Sequence, residues 1–330
     1  MKRLISSIPA MAAVIAMMLG VPTIAPAAAE ANFPPKGRAV TFIVPANPGG
    51  GNDQMCRILA PALEKELGVP VQVVNRPAAG GQQAYTTVAN SKPDGLTISE
   101  VILPTAAILH MDPSRGVPWN RESFALLGMN AVDPGVVQVA SDGPYKTLKD
   151  LIDAAKAKPD QITLGVTEYM GQDHLAALQL QKIAGVKFRI VNFTGNTERD
   201  PLILGGKLDA GISNVAPQYP AWKAGTMRLL GVMDKVEHPM LPGVPTFESQ
   251  GYPMVQLTAR GYMVSSKTPP EILAVLQSAT GKALSDPDVI KKMTDIGVPF
   301  RYMPPKEAAD YWAQMEEEIK PLVEEALKSK

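Results

Sequence analysis

The chain has one cysteine, Cys56, in 330 residues. That excludes an intramolecular disulfide and any zinc site built on cysteines. Cys56 reads as a small buried hydrophobe on the first helix. A helix start lowers a thiol's pKa, but no histidine lies near it in sequence to serve as its base. Histidine is nearly as scarce. His110, His174 and His238 are the only three, and no two stand at the spacing of helix-borne metal ligands. Neither sign of charge dominates, with 32 Lys and Arg against 32 Asp and Glu. A nucleic-acid partner, which needs a basic stripe, is therefore not expected. Past Glu30 no apolar run reaches the roughly 18 residues of a membrane-spanning helix. Phosphate-loop and nucleophile-elbow motifs are missing. Gly49 and Gly51 are followed by Gln54, where a dinucleotide fingerprint needs its third glycine, and the second strand ends in Asn75-Arg76 rather than an acid for a ribose. The residues point to no enzymatic activity, no cofactor and no metal.

What is present begins with an export pattern. Lys2 and Arg3 lead a mostly apolar stretch from Leu4 to Leu19, and Ala27-Ala28-Ala29 fits a small-residue cleavage site before Glu30. Residues 1–29 thus read as a secretory signal peptide. Pro9, Pro22 and the short apolar core argue against a membrane anchor. No cysteine follows to accept a lipid. The length suggests two domains, and a hydrophobic share of 45% is enough for two cores.

The most telling stretch is Val40-Thr-Phe-Ile-Val-Pro-Ala-Asn-Pro-Gly-Gly-Gly-Asn-Asp53. A β-branched run ends in Pro45, three glycines follow, and a helical pattern opens at once with Met55, Ile58, Leu59, Leu63 and Leu67 on one face. A strand, a tight turn and a helix N-terminus gather unpaired backbone N–H groups at one point, which suits an anion. Pro61 should kink that helix. Further strands are expected at Val71–Val74 and Thr97–Leu103, with a helix at Gln82–Ser91 between them. The pattern resets with strands at Val136–Ala140, Ile162–Val166, Phe188–Val191, Ala210–Ser213 and Met227–Val232, interleaved with helices. After a strand at Gln256–Val264 come three helices, Glu271–Leu284, Asp286–Asp295 and Lys306–Ser329, with no strand of length between them. They cannot form a third α/β unit, so they should return to the first. The expected architecture is two doubly wound α/β domains. Domain 1 is discontinuous, 30–131 plus 253–330, and domain 2 is inserted at 132–252. Two crossings near 131 and 255 make a hinge, and the cleft between the domains is the expected ligand site.

Several motifs, in order, resemble the solute-binding proteins of tripartite tricarboxylate transporters, the Bug or TctC-type family. They are Pro45-Ala-Asn-Pro-Gly-Gly-Gly-Asn-Asp53, Asn75-Arg-Pro-Ala-Ala-Gly-Gly81, Pro93-Asp-Gly-Leu-Thr97, Leu148–Pro159, His174-Leu-Ala-Ala177, Leu204-Gly-Gly-Lys-Leu-Asp209, Leu241-Pro-Gly-Val-Pro-Thr246 and Lys267-Thr-Pro-Pro270. The resemblance spans nearly all of the chain after the signal. It implies a two-lobed periplasmic-binding-protein fold, type II-like, without enzymatic activity. Such a protein closes on a small organic anion in the periplasm and presents it to a membrane permease. A sensor docking on a receptor kinase is the alternative that the sequence leaves open. No direct membrane insertion is implied, and a monomer suits a shuttling carrier.

The resemblance also implies a carboxylate held at the first glycine loop and at a facing loop of the second lobe. Gly49, Gly50 and Gly51 would shape the cradle, with Ala46, Asn47 and Asn52 beside it. Asp53 reads first as a helix cap or first-turn charge, although the family motif includes its position. Thr105 follows the third strand at the same sheet edge, where it either caps a helix or faces ligand. The facing loop is Glu168-Tyr-Met-Gly-Gln-Asp-His174. Gly171 is kept, but Gln172 stands where the family commonly has serine. Tyr169, beside Met170, would allow an aromatic acid, and Glu168 a hydroxyl or ammonium group. His174 reads first as packing against the loop and second as a ligand. Thr194 and Asn214 sit at further strand ends. Arg260, on the return crossing, either clamps a second carboxylate or pairs with an acid.

Overall fold

The computed structural model describes residues 33–167, 169, 171–193 and 195–328; the expected signal peptide, 1–29, lies outside them. The first elements are β1 (Val40–Val44), α1 (Gly51–Leu67), β2 (Val71–Asn75), α2 (Gln82–Ala89), β3 (Thr97–Leu103), α3 (Thr105–Met111) and β4 (Phe124–Ala140). Next come α4 (Leu148–Ala157), β5 (Thr163–Thr167), α5 (Gln172–Ala184), β6 (Arg189–Phe193), α6 (Asn196–Leu204), β7 (Ala210–Asn214), α7 (Val215–Lys223) and β8 (Met227–Val232). The chain closes with β9 (Leu257–Ser265), α8 (Pro270–Leu284), α9 (Pro287–Asp295), β10 (Phe300–Met303) and α10 (Pro305–Lys328). Among the described residues no helix is long and apolar enough to cross a membrane.

The strands run in the order β2-β1-β3-β9-β4-β7-β5-β6, with β10 and β8 also paired to β4. β1 pairs in parallel with β2 and β3, and β5 in parallel with β6 and β7. Each lobe therefore keeps a parallel core in the expected α/β pattern. The antiparallel members β4 and β9 join the two. In each core the order reverses at one strand, β1 or β5. One connection runs from that strand to its neighbour on one side, the next crosses back to its neighbour on the other, and such a reversal opens a crevice at the strand's carboxyl end.

Burial follows the period of two along a strand covered on both faces. Val40, Phe42 and Val44 pack with Leu59 of α1, Leu276 of α8 and Met293 of α9. Ile43 turns the other way, into a cluster with Tyr85 of α2 and Trp312 of α10. The second lobe packs Leu151 and Ile152 of α4 and Leu180 of α5 against Leu164 and Ile212 of its sheet. A smaller cluster puts Leu175 of α5 against Ile108 of α3 and Val323 and Ala326 of α10.

Two readings of the sequence are corrected. The strand expected at Val136–Ala140 is the last part of β4, which starts at Phe124. The last three helices are also not consecutive, because β10 lies between α9 and α10 and pairs with β4. Pro61 sits inside α1, and the helix runs on through it to a left-handed Gly68 that donates to Glu64 O at 2.8 Å.

Candidate ligand-binding site

The turn after β1 is built by backbone demand and one carboxylate. Gly49 has φ +80°, which disfavours any side chain. Gly50, the cap of α1, is extended at φ −73° and ψ 167°, and Gly51 opens the helix. Only Gly49 of the three needs to be glycine for its conformation; a side chain on the other two would instead fill the space over the turn. The first helical bond is Gln54 N to Gly50 O, so the N–H groups before it are left to other acceptors. Asp53 is 2% exposed. Its Oδ2 accepts from Gly49 N at 2.8 Å and Arg57 Nε at 2.9 Å, and its Oδ1 from Asn75 Nδ2 at 2.8 Å. The Arg57 bond, with those from Gly49 and Asn75, outweighs burial and holds its carboxyl down at about 2. Asn75 Nδ2 also reaches Ala46 O at 3.0 Å. Asp53 is thus spent on the turn itself. Asn47 and residues 48–51 are exposed around it.

At the neighbouring strand ends, Thr105 opens α3 and Arg260 lies on β9. Arg260 Nε donates to Asn52 Oδ1 at 3.0 Å, next to the glycines. Its Nη1 is 3.6 Å from Asp133 Oδ2. Asp133 is fully buried, and burial drives its carboxyl up to about 6 against the pull of Arg260. Deeper on β3, Glu100 is buried with no hydrogen-bond partner on either carboxyl oxygen, and burial drives it to about 8.

Gln172 and Asn214 close a ring with Thr258 of β9. Gln172 Nε2 donates to Asn214 Oδ1 at 2.7 Å, Asn214 Nδ2 to Thr258 Oγ1 at 2.8 Å, and Thr258 Oγ1 to Gln172 Oε1 at 2.6 Å. The ring ties α5 and β7 to β9. Beneath it lies Asp173, buried, accepting from Thr167 Oγ1 at 2.7 Å and 3.8 Å from Arg199 Nη1. Burial raises its carboxyl, and the Thr167 bond and Arg199 oppose that. Arg199 is itself 0% exposed. It lies across Gly165 and Gly211, which face each other on β5 and β7; a Cβ on either would come within about 3 Å of its side chain. Its guanidinium donates to Asp200 Oδ1 and Ile212 O. Tyr169 is exposed, its ring 4.9 Å from that of His174. His174 is 7% exposed, and burial lowers its pKa.

Some of these groups line a cavity of about 230 Å³. Of the residues expected at a site, it brings together Thr105, Gly171, Gln172, Asn214 and Arg260, with Asn52 one hydrogen bond away. Ala46, Asn47, Gly49, Gly50, Gly51, Asp53, Tyr169 and His174 are not in its walls. Met170, Thr194 and Glu168 lie outside the described residues. Thr167, Asp173, Asn196, Ser213 and Thr258 line it without having been singled out. Thr258 had a signal: it is two residues before Arg260 on one strand face. Thr167 and Ser213 sit at or next to strand carboxyl ends. Asp173 falls within the expected facing loop, Glu168 to His174, but carries no expected role of its own. Three of the cavity's groups are hydroxyl or amide members of the ring, and Arg260 is its one basic side chain.

A profile of the tripartite tricarboxylate transporter family receptor matches residues 55–327. Protein BugT of Bordetella pertussis is 29% identical over 283 residues, which cover 84% of this chain and 86% of BugT. A solved TctC solute-binding protein from Polaromonas superposes with a TM-score of 0.76 at 27% identity, covering 88% of this chain and 99% of its own. MatC from Rhodopseudomonas palustris, solved with bound malate, has a TM-score of 0.74 at 23% identity over 87% of this chain and 99% of its own.

Proposed function

The chain belongs to the tripartite tricarboxylate transporter receptor family, and we propose that it captures a small carboxylate in the cleft between its lobes and hands it to a membrane permease. The family is one of periplasmic solute-binding receptors, not of enzymes. The observation that carries the ligand class is Arg260: a guanidinium lines a small cavity of hydroxyls and amides, which also holds the buried Asp173 carboxylate, and touches Asn52 at the start of α1. A carboxylate there would meet a planar donor and a helix N-terminus together. MatC, of the same fold, holds malate, itself a small carboxylate.

The lobes are taken as 30–131 with 253–330, and 132–252. Strand pairing supports this division: the first part of β4 pairs with β9 and β10, and its last part with β7 and β8. The carboxylate would settle first at the Gly49–Asn52 turn, and Gly171, Gln172 and Asn214 would complete the cage as the second lobe approaches. Ligand moves that equilibrium only by its differential affinity for the closed form. On this reading residues 1–29 direct export and are removed, and the carrier is a monomer.

The test is thermal unfolding of the protein lacking residues 1–29 against citrate, dicarboxylates, aromatic carboxylates and amino acids. A ligand at a hundred times its Kd adds about 2.7 kcal/mol, a rise of several degrees. A selective rise with one class of acid supports the reading. A flat response from protein first unfolded and refolded, to strip any carried ligand, overturns it.

A further inference from the structure

A second cavity, of about 320 Å³, adjoins the first. The two share one lining residue, Gln172. On either side of it the walls are chain neighbours: Thr105 and Thr258 face the cleft, while Pro104 and Leu257 face the second cavity. Gln172 and these two pairs of chain neighbours thus separate the two cavities, and Gln172 contributes a long side chain. That side chain is held upright by Thr258 and Asn214, at 2.6 and 2.7 Å. Beyond it the space changes character. Leu175, Met315, Ile319 and Leu322 line it, and two bases, Lys235 and Arg301, line it alongside two acids, Asp234 and Glu318. An alkyl chain would suit the apolar residues, with Lys235 or Arg301 as the partner of a distal carboxylate, whereas the cleft itself is polar.

We propose that Gln172 sets the length of acid the protein accepts: it closes the cleft at a short ligand, and without it the cleft opens into the second cavity and takes a longer diacid. The inference rests on the carboxylate-binding reading above. Gln172 spans the gap as a long side chain whose amide satisfies both ring partners, so a shorter residue removes the partition together with its tie. Each methylene then buried in the apolar cavity gains about fourfold in affinity.

The experiment is calorimetric titration of the protein and of Gln172→Ala with straight-chain diacids of four to eight carbons. Gln172→Ser, which keeps a hydroxyl near Thr258, covers the case in which the alanine variant does not fold, and circular dichroism reports folding. The expected result is a preference of at least tenfold for the four-carbon over the eight-carbon acid in the unaltered protein, and a reversal in the variants. Val255→Trp, at a 37% exposed position on the second cavity, should restore the short preference in the Gln172→Ala background. An unchanged length ranking in folded Gln172 variants overturns the partition and leaves the carboxylate reading intact. Long-acid binding that Val255→Trp does not reduce also overturns it, because the added length then lies elsewhere. Failure of every acid to bind any of the proteins overturns both readings.

Discussion

Replacing Asp53 by asparagine keeps the shape and removes the charge on which the first turn depends. In the native protein all three partners of that carboxylate are donors: Gly49 N, Arg57 Nε and Asn75 Nδ2. Asparagine presents an N–H₂ group to at least one of them, and the side chain, 3% exposed, leaves little room to turn away. The magnitude follows from the depressed carboxyl. A drop from 3.8 to about 2, at about 1.36 kcal/mol per tenfold in proton affinity, sets a ceiling of about 2.4 kcal/mol. Arg57 is 51% exposed, so solvent screening reduces the loss to about 1–2 kcal/mol. The sign gives a second handle. A carboxyl whose folded pKa is depressed stabilises fully above its unfolded value and ceases to do so as pH falls through the folded one. Guanidinium titrations of the two proteins at pH 7, 4 and 3 should show the gap full at pH 7, nearly full at pH 4 and shrinking below. A gap that is absent at pH 7, or that persists undiminished as pH approaches 2, would refute the assignment of Asp53 to the turn. The same variant should bind ligand more weakly, because the cradle is built on Gly49.

Gly49→Ala should cost about 1–2 kcal/mol in thermal unfolding, since its φ is +80°. Gly50→Val should melt within a degree or two of the parent, because its backbone is extended and a Cβ meets only Asn47 O at 3.5 Å, yet should lose at least tenfold in carboxylate affinity by calorimetry; retained affinity removes the turn from the site. Glu100, raised to about 8 by burial, stabilises fully below its unfolded value near 4.5 and loses that contribution as pH rises to 8, so Glu100→Gln should flatten the decline in stability between about pH 4.5 and 8. Thr258→Val should cost about 1–3 kcal/mol by breaking the ring and stranding Gln172 Oε1, measured by denaturant titration. Cys56 is 0% exposed and its thiol is pushed up by burial, so it should react with a disulfide reagent only on unfolding.

Contiguous chemistry was legible in the chain, and chemistry assembled across it was not. The β1 turn could be read because its strand, glycines and helix start lie within a dozen or so residues, each with a local preference. β4 could not, because Asp133-Pro134-Gly135 carries the composition of a turn. Tertiary pairing overrides it: Asp133 and Pro134 lie opposite Thr258 and Leu257, Gly135 N donates to Gln256 O at 2.8 Å, and Gly135 gives the room that Gln256's side chain occupies. Thr105 and Arg260 were found from their position at strand ends and on the return strand. Arg199 escaped notice because its role depends on the absence of side chains at Gly165 and Gly211, on two separate strands. An arginine beside an aspartate reads as a surface pair until those glycines are seen to face it.

Arg260 and Thr258 share a face of β9 and reach in opposite directions. Arg260 runs to Asn52 beside the glycine turn, and Thr258 runs to Gln172 and Asn214 in the second lobe. Directly across from Thr258 stands Asp133 of β4, whose carboxylate faces Arg260 and whose backbone carbonyl accepts from Asn214 Nδ2 at 2.9 Å. Both crevices are therefore wired to the same two strands by side chains on one surface. On the proposed carboxylate-binding reading, this accounts for a buried acid beside the anion. Asp133 costs solvation energy, but it holds Arg260 at a fixed height between the crevices, so the guanidinium need not be ordered when an anion arrives. Fixing that donor on the joining strands also means that displacing either crevice disturbs the other. In such a geometry a substitution at Asn52 and one at Asn214 should be non-additive, despite lying on different lobes, because their partners Arg260 and Thr258 are two residues apart on β9 and both meet Asp133, Arg260 by an ion pair and Thr258 as its strand partner.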